Sequence, residues 1–337
     1  MPSLEVAIGG IIVVSLIWYV LFGVADFGAG AWYLLERGPS RAEARHQIEH
    51  AIGPIWEANH VWLILVVTLL FTAFPPAFAR IMTVLHIPLV VLLLAIVGRG
   101  SAFAFRSHDV RADPTHGVWD WLFAASSTLA PLLLGIVLGA ITGGHVYERH
   151  GTFVDVFVWS WLTPFSLLVG CLALAVGLWL SAVYLWVEAQ PSLASHFRRR
   201  ALTAAVVTHA IAALLLLMTV GQRPLWATFI RSVWGSLLLV GTGLAGTAMF
   251  LSIIRRQPRK TRLLAATEVT FMVIGWALAQ YPHLVPPDLT LYNSAAPVST
   301  LTFLLGALIA GAVILFPSLY VLYRIFKGGP MALDRTS

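Results

Sequence analysis

Glu57 and His60 stand three residues apart in AIGPIWEANHVWLILVVTLLFTAFPPAFA, residues 51–79, a stretch otherwise apolar enough to cross a membrane. An ionisable side chain in hydrocarbon costs about 2.5–3.5 kcal/mol on insertion scales, so one that is kept there has a partner or a task. In a helix a spacing of three places Glu57 and His60 on one face, with Trp56 four residues before His60 and Asn59 adding an amide on a neighbouring face. Asp26, in FGVADFGAGAW, closes a first apolar run, and Arg99 closes a third. Gly23, Gly28 and Gly30 let another helix come close to Asp26. Carboxylates from different helices near one membrane face, with a histidine beside them, have the composition of a proton entry path, and Arg99 could neutralise one of them. A buried ion pair or hydrogen-bond network that only orients helices uses the same residue types, and both readings stand at this point. Glu268, about five residues into an eighth apolar run, is expected to snorkel to the arginines before it. His86 and His209 also fall inside apolar runs. Haem ligation needs axial ligands projecting into one bundle, whereas lone histidines of this kind are expected to be packed residues bonded to backbone. No phosphate-binding loop, dinucleotide fingerprint or HExxH motif occurs.

The elements that must position these groups follow from composition. Of 337 residues, 59% are hydrophobic and 11% charged, against about 25% charged in soluble domains. With a mean hydropathy of +0.85 and repeated apolar runs of about 20 residues, the chain reads as an all-α, polytopic membrane protein. Nine transmembrane helices are expected, near 6–34, 54–78, 82–104, 118–141, 158–186, 202–220, 232–254, 263–281 and 301–326. The first run has no Lys or Arg before it, in MPSLE, and reads as a retained span and not a signal peptide. With the N-terminus outside and the C-terminus inside, seventeen of the 21 Lys and Arg residues fall on the inner side. Arg80, Arg149, Arg223 and Arg231 are left outside, the asymmetry the positive-inside rule demands. The basic pI, about 9.8, therefore points to membrane-anchoring loops and not to nucleic acid. The single cysteine, Cys171, excludes a disulfide framework. AWYLLE and AVYLWVE, ending at Glu36 and Glu188, hint at repetition. Two four-helix bundles, residues 1–142 and 158–281, plus one peripheral helix at 301–326 would accommodate it. The loop YPHLVPPDLTLYNSAAPVST, rich in proline, is expected to be an ordered outer connection.

These residues carry a resemblance. GVADFGAGAW, IGPIWEANHVWLI and FTAFPPAFA resemble subunit II of the cytochrome bd-type quinol oxidases, and RGSAFAFR, WDWLFAASSTLAPLLLGIVLGA and ALAQYPHLVPPDLT extend the likeness along essentially the whole chain. WEANHVWLI is similar to the cyanide-insensitive branch. The resemblance implies a multi-pass protein of the bacterial inner membrane, partnered by a haem-bearing oxidase subunit I. That subunit would carry haems b558, b595 and d and oxidise the quinol, while this chain would bind no haem or metal itself. It implies that Asp26 and Glu57 line a hydrophilic channel from the cytoplasm, with Arg99 a basic position beside it; Trp56, Asn59, Arg106 and Glu268 are expected to support that path. Ala104, ahead of Phe105 and Arg106, stands where some members have Asp, so the channel mouth is expected to differ. His60 departs from many members. A small single-helix accessory subunit, and a structural quinone or lipid in a groove, are left open by the resemblance. A proton-coupled transporter and a purely structural assembly subunit are the alternatives from other classes.

Overall fold

The computed structural model describes residues 3–37, 41–52, 56–108, 116–146, 151–222 and 229–327. Apolar runs that meet no water must satisfy their backbone internally, and here they do so as helices. Among the described residues eight helices are long and apolar enough to cross a membrane, and a ninth span arises if two helices bent by 116° are joined.

The first span, Leu4–Leu35, consists of α1 (Leu4–Trp18), a π-helical segment (Tyr19–Val24) and α2 (Ala25–Leu35). An amphipathic helix, α3 (Arg41–Ile52), follows where only a loop was expected. The second expected span is shorter than 54–78. It ends as α4 (Trp56–Ala73), because Pro75 has no N–H to continue the ladder and instead opens α5 (Pro75–Val84) as its first residue. Then come α6 (His86–His108) and α7 (His116–Thr142).

The expected fifth span is also corrected. Residues from 158 do not belong to it. A short helix, α8 (Phe153–Phe157), is closed by a Thr152–Asp155 capping box, and α9 (Pro164–Val187) starts at an N-cap where Thr163 accepts from the Ser166 amide. The sixth helix begins earlier than residue 202, as α10 (Pro191–Gln222), and so carries Arg198–Arg200 within its first turns. The chain continues through α11 (Val233–Ile254) and α12 (Pro258–Gln280). The connection before the last helix is ordered as expected: β1 (His283–Val285) pairs antiparallel with β2 (Leu289–Thr290) before α13 (Val298–Lys327).

α9 packs on α2, α7, α10 and α12, so the largest core cluster runs from Ala25 to Val269 across both halves of the chain. The seam between the halves is a close backbone approach. A Cβ on Gly28 would lie 2.0 Å from the Gly177 carbonyl oxygen, and one on Gly177 would lie 2.7 Å from that of Val24. Only glycine permits that contact. α13 packs on α1 and α4 and leaves most of its surface uncovered.

One end of the bundle is basic. Glu36, with no exposed side-chain surface, lies 3.0 Å from His196 and 3.5 Å from Arg200, whose guanidinium sits 4.6 Å from the Trp32 ring. Arg45 reaches Asp120 at 3.4 Å, donates to the Tyr33 carbonyl and stacks on the Tyr33 ring, pinning α3 to α2 and α7. Arg198 donates from Nε to the Ile253 carbonyl at 2.9 Å, capping the end of α11. At the other end Arg80 meets Asp288 of the hairpin at 3.4 Å.

Candidate functional site

The π-helical segment delivers Asp26. One wide turn between α1 and α2 changes the direction in which the following side chains point, a feature that recurs at functional sites. Gly23 makes room for it, since a Cβ there would lie 2.6 Å from the Tyr19 ring. The Asp26 carboxylate accepts a hydrogen bond from Nδ2 of Asn59 on α4, and Asn59 is buried. Arg99 of α6, 2% exposed, donates from Nη2 to the Asp26 carbonyl at 3.3 Å and from Nε to Ser127 Oγ of α7 at 3.2 Å. Ser127 Oγ in turn donates to the Phe123 carbonyl at 2.6 Å. The guanidinium lies 4.6 Å from the Phe27 ring centre and 5.6 Å from that of Phe123. Phe27 also meets the His60 ring at 5.4 Å, and Tyr19 meets it at 6.1 Å. Four helices, α2, α4, α6 and α7, thus converge on one carboxylate and one guanidinium. Asp26 is ten positions before Glu36, about 15 Å of helix rise from the basic end.

Asp26, Arg99 and Asn59 are brought together, as the sequence suggested, and Asn59 supplies the direct contact to the carboxylate. Glu57 stands apart from them. It is exposed, in register with Ile64 and Phe71, which are 63% and 61% exposed on the same face of α4. His60 turns inward, half-buried against Tyr19 and Phe27. Ser127 was not foreseen. Its signal was a serine pair within the apolar run of α7, at the level of a buried arginine. Ala104 is exposed on α6. The side chains of Trp56 and Arg106 lie outside the described residues.

Glu268 does not snorkel. It is 3% exposed on α12, and its Oε1 lies 2.6 Å from Nε2 of His209 on α10. The expected reach to the arginines fails because the helix face of Glu268 turns into the bundle, where an imidazole meets it. His209 is, as expected, bonded to backbone, with Nδ1 2.7 Å from the Ala205 carbonyl oxygen, and its second nitrogen has the partner that sequence reasoning missed. Its ring packs edge-on against Trp179 of α9 at 5.5 Å and against Phe250 of α11 at 4.9 Å. His86 bonds the Thr83 carbonyl through Nδ1 and packs on Phe157 at 5.0 Å. Among the described residues no cluster of three or more His, Cys, Asp or Glu could hold a metal ion.

Comparison with known proteins bears on the whole chain. The family profile described as cytochrome bd terminal oxidase subunit II matches residues 4–326. The cytochrome bd ubiquinol oxidase subunit 2 of Bacillus subtilis is 36% identical over 165 residues, 46% of this chain and 47% of that protein. The cytochrome bd-I ubiquinol oxidase subunit 2 of Escherichia coli K12 is 28% identical over 210 residues, 58% of this chain and 54% of that one. The chain thus matches about half the length of each of these two relatives. A chain from the structure of bd oxidase from Geobacillus thermodenitrificans shares the fold, with a TM-score of 0.80 and 24% identity, over 98% of this chain and 100% of that one.

Proposed function

The chain belongs to the cytochrome bd terminal oxidase subunit II family, and from that premise we propose that it serves a bacterial quinol oxidase as the subunit that binds no haem, admits protons from the cytoplasm and scaffolds a haem-bearing subunit I. The reaction oxidises two quinols for each dioxygen reduced to water. Quinol protons leave on the outer side, and the protons consumed in making water come from the inner side, so charge separates without a pump. Haems of the partner supply the oxygen chemistry. The residues of this chain hold, pass and electrostatically balance protons.

The observation that carries this reading is a half-buried carboxylate, Asp26, inside the first span, hydrogen-bonded across helices to Asn59 and beside the buried charge of Arg99. Such groups inside a membrane mark ion or proton pathways. Taking the basic end as cytoplasmic by the positive-inside rule, with nine spans and the N-terminus outside, Asp26 sits part-way in from the proton source. Glu57 is two residues nearer that end than Asn59 on α4, about 3 Å of helix rise. Glu57 takes protons at the entrance. Asp26, held by the amide of Asn59, receives them further in, and Arg99 keeps the negative charge on Asp26 tolerable in hydrocarbon. His60 lines the same passage between Tyr19 and Phe27, and the two halves of the chain act as two four-helix units.

Glu57 also indicates where the partner sits. An acid on an apolar stripe with Ile64 and Phe71 is expensive against lipid tails and tolerable against protein. We place subunit I on this face of α4 and on the neighbouring exposed face of α6, which carries Val90, Leu93, Leu94 and Val97.

The transporter alternative loses support from one feature. Broken helices of transporters place their break near the midplane. Here the break at Phe74 follows the 18 residues of α4, about 27 Å from its start at the basic end, which is the far side of a bilayer.

The test uses the purified complex. Asp26→Asn keeps shape and removes the titratable group, so oxidase turnover should fall by about a hundredfold while the reduced-minus-oxidised haem spectrum keeps its bands. Glu57→Gln should cost less, since a group at the very start of the path lies beside the cytoplasmic water that can deliver protons in its place. Wild-type turnover in both variants would remove the proton-path role, and a complex lacking haem bands altogether in either would leave only the scaffold.

A further inference from the structure

We propose that His209 and Glu268 form a second proton-binding site, which holds one exchangeable proton between imidazole and carboxylate in the other half of the chain. A backbone carbonyl can only accept, so Nδ1 of His209, 2.7 Å from the Ala205 oxygen, carries a hydrogen. Nε2 of a neutral ring is then a bare lone pair, and it lies 2.6 Å from Glu268 Oε1. An ionised carboxylate facing that lone pair would be repelled. A proton between them resolves the contact, either on nitrogen and donated to the carboxylate, or on oxygen and donated to the imidazole. Both arrangements have the same composition, one proton and no net charge.

The surroundings support this accounting. The groups facing the pair from the packed helices are Ala205 of α10, Trp179 of α9, and Gly246 and Phe250 of α11, none of them titratable. With no further charge among these described groups to balance it, a bare Glu268 carboxylate would carry its full cost in hydrocarbon, and the shared proton removes that cost. Gly246 sets the width of the site, because a Cβ there would lie 3.0 Å from Oε1 and 3.1 Å from Nε2. Nε2 of His209, Oε2 of Glu268 and Nε1 of the fully buried Trp179 make no aligned hydrogen bond among the described residues, so the 2.6 Å approach of Nε2 to Oε1 is a close contact of two acceptors until a proton joins them. The imidazole is the more open side of the pair, with 32% of the His209 side chain exposed against 4% of that of Glu268, so exchange of the proton goes through the ring. The pair lies nine positions beyond Arg200 on α10 and six beyond Arg262 on α12, about 9–14 Å from the basic end, so protons would reach it from that side.

Infrared difference spectra of the intact complex, recorded as pH is stepped from neutral to alkaline, test the site. In the wild type one carboxylate band and one imidazole ring band should rise together as the single proton leaves, and both should shift in D2O. Glu268→Gln should abolish the carboxylate band and the imidazole response to the same step, because the amide then donates to Nε2 and no titratable proton is shared. His209→Gln identifies the ring band by its loss. Separate titration of the two bands, an ionised Glu268 beside a neutral His209 throughout, or no response to pH and D2O would each overturn the proposal. If a variant fails to accumulate, the wild-type spectra alone decide. The spectra require no turnover, so a fully active Asp26→Asn enzyme would defeat the proton-path reading and leave this result standing.

Discussion

Two buried ionic centres, one around Asp26 and one around Glu268, lie at comparable depth and solve the same electrostatic problem differently. Around Asp26, charge is retained. Four helices supply an amide, a hydroxyl, a backbone carbonyl and two aromatic faces to a carboxylate and a guanidinium. Around Glu268, charge is cancelled. Two helices supply one contact, and the proton balance of that contact makes it neutral. A centre with many neutral partners can let a carboxylate gain and lose protons without losing its structure. A centre with one partner must keep its proton to keep its contact. The contrast separates a conduit from a store, and it can be broken at either end.

Arg99→Leu should have the largest effect. It removes the buried positive charge next to Asp26, leaves Ser127 Oγ without its donor, and destabilises the first half by about 3–5 kcal/mol, the range for breaking a buried charge network on one side. Thermal denaturation of the complex in detergent should show it as a clear drop in midpoint, with the His209–Glu268 infrared bands unchanged in any protein that survives. A variant as stable as the wild type would mean that the guanidinium is not needed where Asp26 stays charged. Arg99→Lys should fall between the two, since a point charge replaces a fork that serves two acceptors.

How far the sequence foretold these centres follows from the same contrast. Asp26 and Arg99 were legible because a charged residue in an apolar run is expensive and rare, and Asn59 because it lay beside Glu57. The direction of Glu57 was not legible. Helical spacing put it with His60, yet Glu57 faces outward and His60 inward, because a residue three positions along is rotated far enough for packing to separate the pair. Glu268 was seen but misdirected: its nearness to Arg259 and Arg262 along the chain suggested snorkelling, and the partner came from α10, far away in sequence. Span ends were misplaced where a proline or a cap decided them, as at Pro75 and Thr163, since hydropathy averages over such residues.

Each centre is backed by a glycine, and paired alanine substitutions measure how much room each one has. A Cβ at Gly30 would lie 2.3 Å from Ser127 Oγ and 2.6 Å from its Cβ, a collision that must displace Ser127 and with it a donor bond from Arg99. Overpacking of this kind typically costs about 1–3 kcal/mol, so Gly30→Ala should lower both the denaturation midpoint and oxidase turnover.

Gly246→Ala should do less. The nearest atoms, at 3.0 and 3.1 Å, are the ends of two side chains and not backbone, and a side-chain end can yield by a few tenths of an ångström. The expected stability loss is about 1 kcal/mol or less, the lower end of overpacking penalties. The displacement falls on the contact that holds the proton, so the imidazole and carboxylate bands should shift together while turnover stays within about twofold of wild type, as expected for sites without shared partners. A loss of turnover comparable to that of Gly30→Ala would show that the second centre feeds the first, and the division into conduit and store would give way to a single continuous path.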